Sequence, residues 1–410
     1  MAAVSPLVSG VPDVASCEAA RAMLAGVTRV TPVVANRALS QIIGGEVWLK
    51  CENLQRGGSF KLRGAYVRMA RMTAAERARG IVAASAGNHA QGVALAAALL
   101  GARATVFMPV GAALPKVTAT REYGADIRHS GSTVDEALVA ARAFAAATGA
   151  VLVHPFDHGD VVAGQASLGA EILEQVPGVR TILVATGGGG LLAGITLAIA
   201  QAGARVEVVG VQAAGASAWV DSLAANRPVA ATSMTTMADG IAVAMPGAVP
   251  FEVVATHPHQ IVTVAEEDLS QALVLMLERA KLVVEPAGAA SVAALLADPR
   301  AFEAPVVAVL TGGNIDPLVL HRVLRHGLAA AGRYLSVQVR IPDRPGGLSA
   351  LLAAVAAADA NLVEVEHRRT DATLHVDEVD VALQVETRGA QHRADVLAHL
   401  AAAGYRVQRA

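Results

Sequence analysis

The sequence predicts an α/β protein with a large domain built around a parallel β-sheet and a small C-terminal domain. Short runs of β-branched and aliphatic residues alternate with alanine-rich helical segments over most of the chain, which is typical of βα units. Near residue 330 the order of the elements changes. Of the 410 residues, 54% are hydrophobic and 17% are charged, a composition that excludes a disordered or fibrous chain.

The large domain is predicted from its alternating strands and helices. In residues 61–72, apolar side chains recur from Leu62 to Met69 at the spacing of one helix face. Further helices are predicted at 89–100 and 165–176. Seven strands are predicted around these helices, at 46–51, 80–84, 103–108, 151–153, 180–186, 205–211 and 305–310.

The small domain is predicted from a different order of elements. We place the boundary at 331–334, so that residues 1–330 form the large domain and residues 335–410 the small one. Residues 335–341 alternate between apolar and polar side chains, as a half-buried strand does. The predicted order β-α-β-β-α-β is that of the ferredoxin-like fold. Its later elements are a helix at 348–360, strands at 361–368 and 376–386, a helix at 390–403 and a strand at 405–409.

Charge and cysteine content exclude several classes of protein. The chain has 33 Lys and Arg against 35 Asp and Glu, so it lacks the excess of positive charge that is typical of proteins that bind nucleic acid or an anionic membrane. Residues 181–204 carry no charge, but four glycines divide them into a strand-like and a helix-like half, and no membrane span is expected. Cys17 and Cys51 are too few for a disulfide framework or a zinc site. With no secretory signal visible at the N-terminus, we expect a cytoplasmic protein.

Four glycine-containing loops each follow a predicted strand and open a predicted helix, at the sheet edge where ligands bind in α/β proteins. Lys61 lies in the first loop at a helix N-terminus, where the helix dipole disfavours a cation by about 0.3–1 kcal/mol. A lysine whose pKa is lowered in this way supplies the neutral amine that a Schiff base needs. The loops comprise residues 57–65, 85–92, 187–191 and 311–314.

The third loop contains four consecutive glycines, Gly187 to Gly190. Free backbone N–H groups in such a loop, followed by a helix N-terminus, form a cradle for an anion such as a phosphate. A dinucleotide-binding fold is the alternative, because Gly188, Gly190 and Ala193 match G-x-G-x-x-A and Glu207 lies near the expected acidic position. That pattern leaves Lys61 and the other three loops unexplained.

Five motifs occur together in the large domain: SFKLRGA, SAGNHAQG, GGGGLLAG, EPAGAA and TGGN. In this order and spacing they resemble the pyridoxal-phosphate-dependent threonine dehydratases, also called threonine ammonia-lyases. The resemblance spans roughly residues 20–325 and implies the two-subdomain fold of the tryptophan-synthase-β-like class, with a small subdomain at about 50–150. The C-terminal segments IPDRPGGLSALL and NLVEVEHRR are similar to an ACT domain, a small amino-acid-sensing module.

The resemblance implies a role for each matching residue. Lys61 would form the Schiff base with pyridoxal phosphate and later act on the Cα proton of the substrate. Asn88 would bind the ring hydroxyl, and Glu285 would lie near the ring. The implied cofactor contacts are Phe60, Lys61, Asn88, Gly187, Gly188, Gly189, Gly190, Leu191, Glu285, Thr311 and Gly312. The implied contacts to the substrate carboxylate come from the second loop, Ser85, Ala86, Gly87, Asn88 and His89.

Two of the matching residues indicate the reaction type. Thr311 would face the pyridine nitrogen, and because a hydroxyl does not protonate that nitrogen as a carboxylate would, elimination is favoured over transamination. Ala86 stands where related racemases carry a hydroxyl-bearing residue, so racemisation should be minor. The stretch 210–216 contains no acid, so no metal site is predicted there. Four histidines are interpreted as loop residues rather than ligands: His154, His158, His257 and His259.

The sequence therefore predicts a lyase that converts L-threonine to 2-oxobutanoate and ammonia, with L-serine to pyruvate as a side activity. A serine-preferring dehydratase or β-replacement enzyme is the alternative within the class. A nucleotide-binding oxidoreductase and an inactive amino-acid sensor are alternatives outside it. An amino-acid effector and a homodimer or homotetramer are expected from the ACT-like domain. The proposed effector contacts are Asp343, Gly346, Gly347, Leu348 and Asn361, with Asn361 beside the turn at 343–347.

Overall fold

A computed structural model describes residues 10–257, 259–369 and 377–409. The chain divides into two compact units, one ending at Leu320 and the other beginning at His321. The division falls within the helix Pro317–Ala330, earlier in the chain than the predicted boundary at 331–334. This helix continues unbroken through the division, so the change in sequence pattern near 330 marks the end of the helix.

In the first half of the larger unit strands and helices alternate, except that two helices follow the second strand. Asp13 and Asn36 accept backbone N–H groups at the starts of the first two helices, as N-cap side chains do. In chain order the elements are α1 (Val14–Leu24), β1 (Val33–Ala35), α2 (Arg37–Ile43), β2 (Val47–Lys50), α3 (Lys61–Ala70), α4 (Ala74–Arg79), β3 (Ile81–Ala84), α5 (Asn88–Leu99), β4 (Ala104–Met108), α6 (Leu114–Glu122), β5 (Asp126–His129), α7 (Val134–Thr148) and β6 (Val151–Leu152).

The second half of the unit continues this alternation to the helix that crosses the division. A π-helical turn, Met276–Ala280, extends one of its helices. The elements are α8 (Gly159–Gln175), β7 (Thr181–Ala185), α9 (Gly190–Gln201), β8 (Glu207–Ala213), α10 (Ala218–Ala224), α11 (Ala248–Ala255), β9 (Gln260–Val264), α12 (Glu266–Leu275), α13 (Pro286–Ala297), β10 (Val306–Val309) and α14 (Pro317–Ala330).

Two sheets form the framework of the larger unit. The six-stranded sheet has the order β1-β2-β10-β7-β8-β9 and is parallel except for the edge strand β1. The four-stranded sheet has the order β5-β4-β3-β6 and is parallel throughout. It spans residues 81–152, within the stretch where a small subdomain is expected. The α/β fold class is confirmed.

The predicted elements agree closely with those observed. Each of the seven predicted strands is present, with bounds that differ by no more than two residues. The predicted helix at 165–176 begins six residues earlier, at Gly159, because the imidazole of His158 accepts the N–H of Asp160 at its N-terminus. The strands β1, β5 and β9 are not predicted. Each has mostly exposed or half-buried side chains and lacks the apolar pattern of a buried strand.

The smaller unit has the predicted β-α-β-β-α-β order. Its antiparallel sheet has the strand order β12-β13-β11-β14, and its core contains the inward-facing valines and leucines of the strands together with Leu351 and Leu400. The first residue of the predicted strand 376–386 lies outside the described residues. The elements are β11 (Tyr334–Pro342), α15 (Gly347–Ala357), β12 (Asn361–Arg368), β13 (Glu378–Glu386), α16 (Ala390–Ala402) and β14 (Arg406–Arg409).

Candidate active site

A cavity of about 440 Å³ opens at the carboxyl ends of strands from both sheets of the larger unit. The loops after β3 and β6 contribute from the four-stranded sheet, and the loops after β7 and β10 from the six-stranded sheet. Phe60 and Lys61, from the connection after β2, line the same cavity, so residues of all four predicted glycine loops meet in one place. The predicted residues that line the cavity are Phe60, Lys61, Ser85, Ala86, Gly87, Asn88, His89, Gly187, Gly188, Gly189, Gly190, Leu191, Glu285 and Thr311.

Lys61 is the first residue of α3, and its side chain lines the cavity. Its Nζ donates to the carbonyl oxygen of Pro155 at 3.2 Å and lies 5.1 Å from the centre of the Phe60 ring. Burial lowers the pKa of Lys61 to about 8, against a smaller opposing effect of the Glu285 carboxylate. Its amine is thus available in neutral form near physiological pH, as a Schiff base requires.

A buried ion network anchors the helix that carries Lys61. The guanidinium of Arg63 donates to both carboxylate oxygens of Glu52 at 2.8 and 2.9 Å. It also donates to Glu171 Oε1 at 2.7 Å, and Lys50 Nζ donates to the other oxygen of Glu171 at 2.7 Å. Burial alone would raise the pKa of Glu52, but the neighbouring Arg63 holds it below its ordinary value. Two cations and two carboxylates thus compensate one another inside the protein.

The glycine loop forms the N-terminal approach to α9. Gly189 adopts a φ of 93°, and no side chain caps the helix that begins at Gly190. A Cβ on Gly188 would overlap the ring of Phe156, and one on Gly189 would overlap the indole of Trp219. The loop therefore requires glycine, and its uncapped helix end suits an anion such as phosphate.

Asn88 and Glu285 lie on one side of the cavity. The Asn88 amide nitrogen donates to Glu285 Oε1, and its oxygen accepts from the Asn314 amide at 2.9 Å. Burial raises the pKa of Glu285 to about 7, and the Asp239 carboxylate adds to the shift. A Cβ on Gly312 would overlap Glu285 Oε1. These contacts hold the Asn88 amide in a single orientation.

The second loop contributes backbone groups rather than the His89 ring. Gly87 N–H donates to Ser85 Oγ at 3.1 Å, and α5 begins at Asn88 without a side-chain cap. The His89 imidazole instead donates from Nε2 to the Val153 carbonyl at 2.8 Å. Burial lowers the pKa of His89 to about 3, with the Lys61 charge adding to the effect, so the ring is neutral. Because the His89 ring is hydrogen-bonded to Val153, the predicted contact of His89 with a substrate carboxylate would have to come from its backbone N–H.

Several cavity residues escaped the sequence prediction. Phe156 packs edge-on against His154, with 4.6 Å between the ring centres, and contacts the glycine loop. Lys116 and Asp239 line the cavity as an ion pair of 2.8 Å. No motif in the sequence marks these residues. Asn314 donates to the cavity residue Asn88 and is the last residue of the motif TGGN, so that motif could have identified it.

The four predicted loop histidines make local hydrogen bonds. His154 and His158 accept backbone N–H groups through Nδ1, and the Nδ1 atoms of His257 and His259 contact backbone carbonyls. Within the described part of the chain, no group of three or more His, Cys, Asp or Glu side chains could hold a metal ion. Both cysteines are buried and free. None of the described helices is long and apolar enough to cross a bilayer.

The smaller unit places the predicted effector residues at two different ends of its sheet. Asp343 accepts from Arg369, and Gly346, with a φ of 89°, precedes α15. Asn361 instead pairs with Glu386 at the opposite end of the sheet, the end at which Tyr334 rather than Pro342 lies. The expectation that Asn361 lies beside the turn of its own domain is therefore wrong. The helix α15 separates the two positions, because the strands β11 and β12 run in the same direction.

The cavity fits pyridoxal phosphate in its general chemistry. A buried lysine with a lowered pKa faces the same space as a glycine cradle with an uncapped helix end. Fold and cavity thus suit an α/β enzyme that binds an aldehyde cofactor with a phosphate group. The family model of pyridoxal-phosphate dependent enzymes matches residues 24–312, and that of the ACT domain matches residues 335–403. The chain belongs to the family of pyridoxal-phosphate dependent enzymes and carries a C-terminal ACT domain.

Relatives and solved structures agree with this assignment. The chain is 42% identical to an L-threonine ammonia-lyase of Thermotoga maritima, over 95% of this chain and 97% of the relative. It is 43% identical to one of Geobacter sulfurreducens, over 92% and 94%. The solved structure of a T.th. threonine deaminase has a TM-score of 0.70 at 37% identity, covering 74% of this chain and 99% of that one. Maize serine racemase has a TM-score of 0.72 at 30% identity, covering 77% and 98%.

These findings confirm the resemblance drawn from the five motifs. They also decide against the nucleotide-binding oxidoreductase, since the glycine loop lies in the pyridoxal-phosphate family region. Glu207, the acidic residue of that alternative, begins β8 with its side chain exposed.

Proposed function

We propose that this chain deaminates L-threonine to 2-oxobutanoate and ammonia, with L-serine to pyruvate as a side activity. The proposal rests on one observation: Lys61, the glycine loop and the Ser85–Asn88 loop open into a single cavity. The names of the two relatives that match nearly the whole chain support threonine as the substrate. Each threonine yields one 2-oxobutanoate and one ammonia, so the overall reaction needs no oxidant.

The cofactor contacts follow from the residues that line the cavity. Bound pyridoxal phosphate supplies an electron sink for the bonds to the substrate α-carbon. Gly187 to Gly190 and the Leu191 amide would hold its phosphate, with Phe60 and Gly312 beside its ring. Asn88 would contact the ring hydroxyl, and Thr311 the pyridine nitrogen. Glu285 orients the Asn88 amide through their hydrogen bond.

Lys61 moves the proton at the substrate α-carbon. Its pKa of about 8 lets Nζ hold or release a proton close to neutral pH. The Pro155 carbonyl and the Phe60 ring keep Nζ directed into the cavity. The substrate carboxylate would bind the backbone of Ser85, Gly87 and Asn88, where the uncapped start of α5 offers N–H donors.

Two side chains favour elimination over competing reactions. Thr311 is a neutral hydroxyl, so it would leave a pyridine nitrogen beside it unprotonated, and the cofactor would supply a weaker electron sink. Ala86 lines the cavity but carries no proton to deliver to the substrate. Together they support loss of the β-hydroxyl rather than transamination or racemisation.

Substitution of Lys61 tests the proposal. Lys61→Ala should lose the visible absorbance of the bound cofactor and nearly all production of 2-oxobutanoate. Lys61→Arg is the matched control for charge, because it keeps the cation but cannot form the same bond to the cofactor. Turnover by Lys61→Ala within about tenfold of the wild type, a barrier change of about 1.4 kcal/mol, would contradict the assignment. The ratio of kcat/KM for threonine to that for serine decides which substrate is preferred.

The ACT domain is proposed to bind an amino-acid effector. The turn before α15 and Asn361 lie at opposite ends of one sheet, and β12 is an edge strand with an open side. Two copies that pair edge to edge about a two-fold axis would bring Asn361 of one copy beside the turn of the other. Leu348, in the first turn of α15, would contact the effector's apolar part. We therefore propose a homodimer or homotetramer. A location in the cytoplasm is a separate proposal.

Calorimetry with branched-chain amino acids tests the regulatory proposal. Isoleucine should bind the full chain, shift the apparent affinity for threonine by about 5- to 150-fold and lose that effect in Asn361→Ala. Arg406→Ala, a change on the edge strand β14 at the other side of the sheet, is the matched control. Absence of binding by isoleucine and valine to the full chain would show that the domain has another role.

A further inference from the structure

Lys116 lies in the cavity but belongs to none of the predicted motifs. It stands near the start of α6, and its side chain is only 13% exposed. A Cβ built on Gly87 would lie 3.9 Å from Lys116 Nζ, so the ammonium faces the middle of the Ser85–Asn88 loop. The side chain of Lys116 thus reaches the place where a substrate carboxylate is expected.

Lys116 already holds a carboxylate there. Its Nζ lies 2.8 Å from Asp239 Oδ2, which comes from the other side of the cavity. The Asp239 side chain is 64% exposed, so it can turn into solvent at little cost, whereas Lys116 stays in the cavity. The pair is close to Glu285, since a Cβ on Gly240 would lie 3.7 Å from Glu285 Oε1.

The other charges of the cavity leave Lys116 as the cation available to a substrate carboxylate. Among the described residues that line the cavity, the lysines are Lys61 and Lys116, and the proposed function assigns Lys61 to the cofactor. His89 and His154 are neutral, since burial lowers their pKa values to about 3 and 4. The Asp239 carboxylate, together with Glu285, which is only partly ionised near its pKa of about 7, would otherwise repel an incoming carboxylate.

We propose that Lys116 binds the carboxylate of the amino-acid substrate, which displaces the Asp239 carboxylate from its ion pair. This inference rests on the proposed function, because it takes the substrate to be an amino acid. Lys116 is then a specificity-determining residue that selects a free α-carboxylate. Asp239 neutralises Lys116 while the cavity is empty and competes with the substrate for it.

Paired ligands that differ only in charge test this role. Threonine and threoninamide have the same shape around the α-carbon, but only threonine carries the carboxylate. Lys116→Met should lower kcat/KM for threonine by about 10- to 100-fold, the range for a hydrogen bond to a charged group, and leave threoninamide nearly unchanged. Lys116→Arg should retain most of the preference. Arg121→Met, on the same helix but outside the lining of the cavity, controls for the charge of α6.

Asp239→Asn separates carboxylate binding from a mechanical role of the ion pair. If Asp239 competes with the substrate, this variant binds threonine at least as tightly as the wild type. If the ion pair instead only holds the two sides of the cavity together, Asp239→Asn and Lys116→Met weaken the binding of threonine and of threoninamide to the same extent. In that case the proposal is wrong. Should Lys116→Met fail to fold, Lys116→Arg and Asp239→Asn still decide between these outcomes.

The inference can fail separately from the proposed function. The visible absorbance of the bound cofactor reports ligand binding without turnover, using alanine and alaninamide as probes. An enzyme that turns over no threonine refutes the proposed function, yet its preference for alanine over alaninamide still measures the effect of Lys116. An unchanged preference in Lys116→Met refutes the inference even when threonine is turned over.

Discussion

Replacement of Arg63 by methionine should destabilise the larger unit strongly, although Arg63 does not line the cavity. The side chain is fully buried and donates to two carboxylates, Glu52 and Glu171. Methionine preserves much of its volume but leaves one carboxylate charge uncompensated, since Lys50 alone remains. Loss of one partner from a buried ion pair costs about 3–5 kcal/mol, because the other charge stays out of water.

The expected shift in melting temperature follows from the size of the unit. Unfolding entropy near 60 °C is about 2.1 cal/mol/K per residue, so for a unit ending at Leu320 each kcal/mol lowers Tm by about 1.5 °C. Arg63→Met should therefore lower Tm by about 4–8 °C. Tryptophan fluorescence is a suitable probe, because the two tryptophans, Trp48 and Trp219, both belong to this unit.

Two further variants make the Arg63 prediction refutable. Arg21 and Glu174 form an ion pair with exposed side chains, 46% and 58%, so Arg21→Met should cost no more than about 1 kcal/mol. The double variant Arg63→Met/Glu52→Gln restores neutrality. Its loss of unfolding free energy should therefore be smaller than the sum of the losses of the two single variants. A Tm of Arg63→Met within about 1 °C of Arg21→Met, which corresponds to nearly equal free energies of unfolding, would refute the reasoning.

Three other predictions concern the cavity. Gly188→Ala should weaken cofactor binding about 5- to 150-fold, because the methyl group overlaps the Phe156 ring; Gly111→Ala, where a Cβ meets open space, should leave binding unchanged in the same titration. The cofactor-free chain should take up pyridoxal phosphate faster as pH rises through about 8 and then level off, since the neutral Lys61 amine reacts; a rate that still rises tenfold per unit above about pH 9 would contradict this pKa. Ala86→Ser should increase D-serine formation, measured by chiral analysis of recovered serine, and no increase would show that other residues also limit racemisation.

The sequence located the connections that border the cavity where its signals are local. Lys61, the glycine loop and the TGGN motif each lie where a strand is followed by a helix, and such connections are recognised from neighbouring residues alone. The strands of the ferredoxin-like domain were predictable for the same reason. Apolar and polar side chains alternate along 335–341 and 378–386, which indicates strands with one buried face.

Contacts between distant segments could not be predicted. The strand β2 pairs with β10, more than 250 residues later, and no local pattern specifies that partner. The ion pair of Lys116 and Asp239 joins the start of α6 to a distant segment, and neither carries a motif. Asn361 was misplaced although the predicted β-α-β unit already makes β11 and β12 run in the same direction, which puts the start of β12 at the opposite end from the turn after β11.

The motif SFKLRGA illustrates how one short segment serves both architecture and chemistry. A Cβ on Gly164 of α8 would lie 2.7 Å from the Gly64 Cα, so these two glycines let α3 and α8 approach at backbone distance. This approach brings the Arg63 guanidinium within reach of Glu171 on α8. Arg63 and Gly64 therefore set the position of the helix, and Lys61 is the residue of this motif that we propose binds the cofactor. A related chain that kept this fold but had lost the activity would still need Arg63 and Gly64 to hold the helix in place. Within this motif, Lys61 is therefore the residue whose presence indicates catalysis.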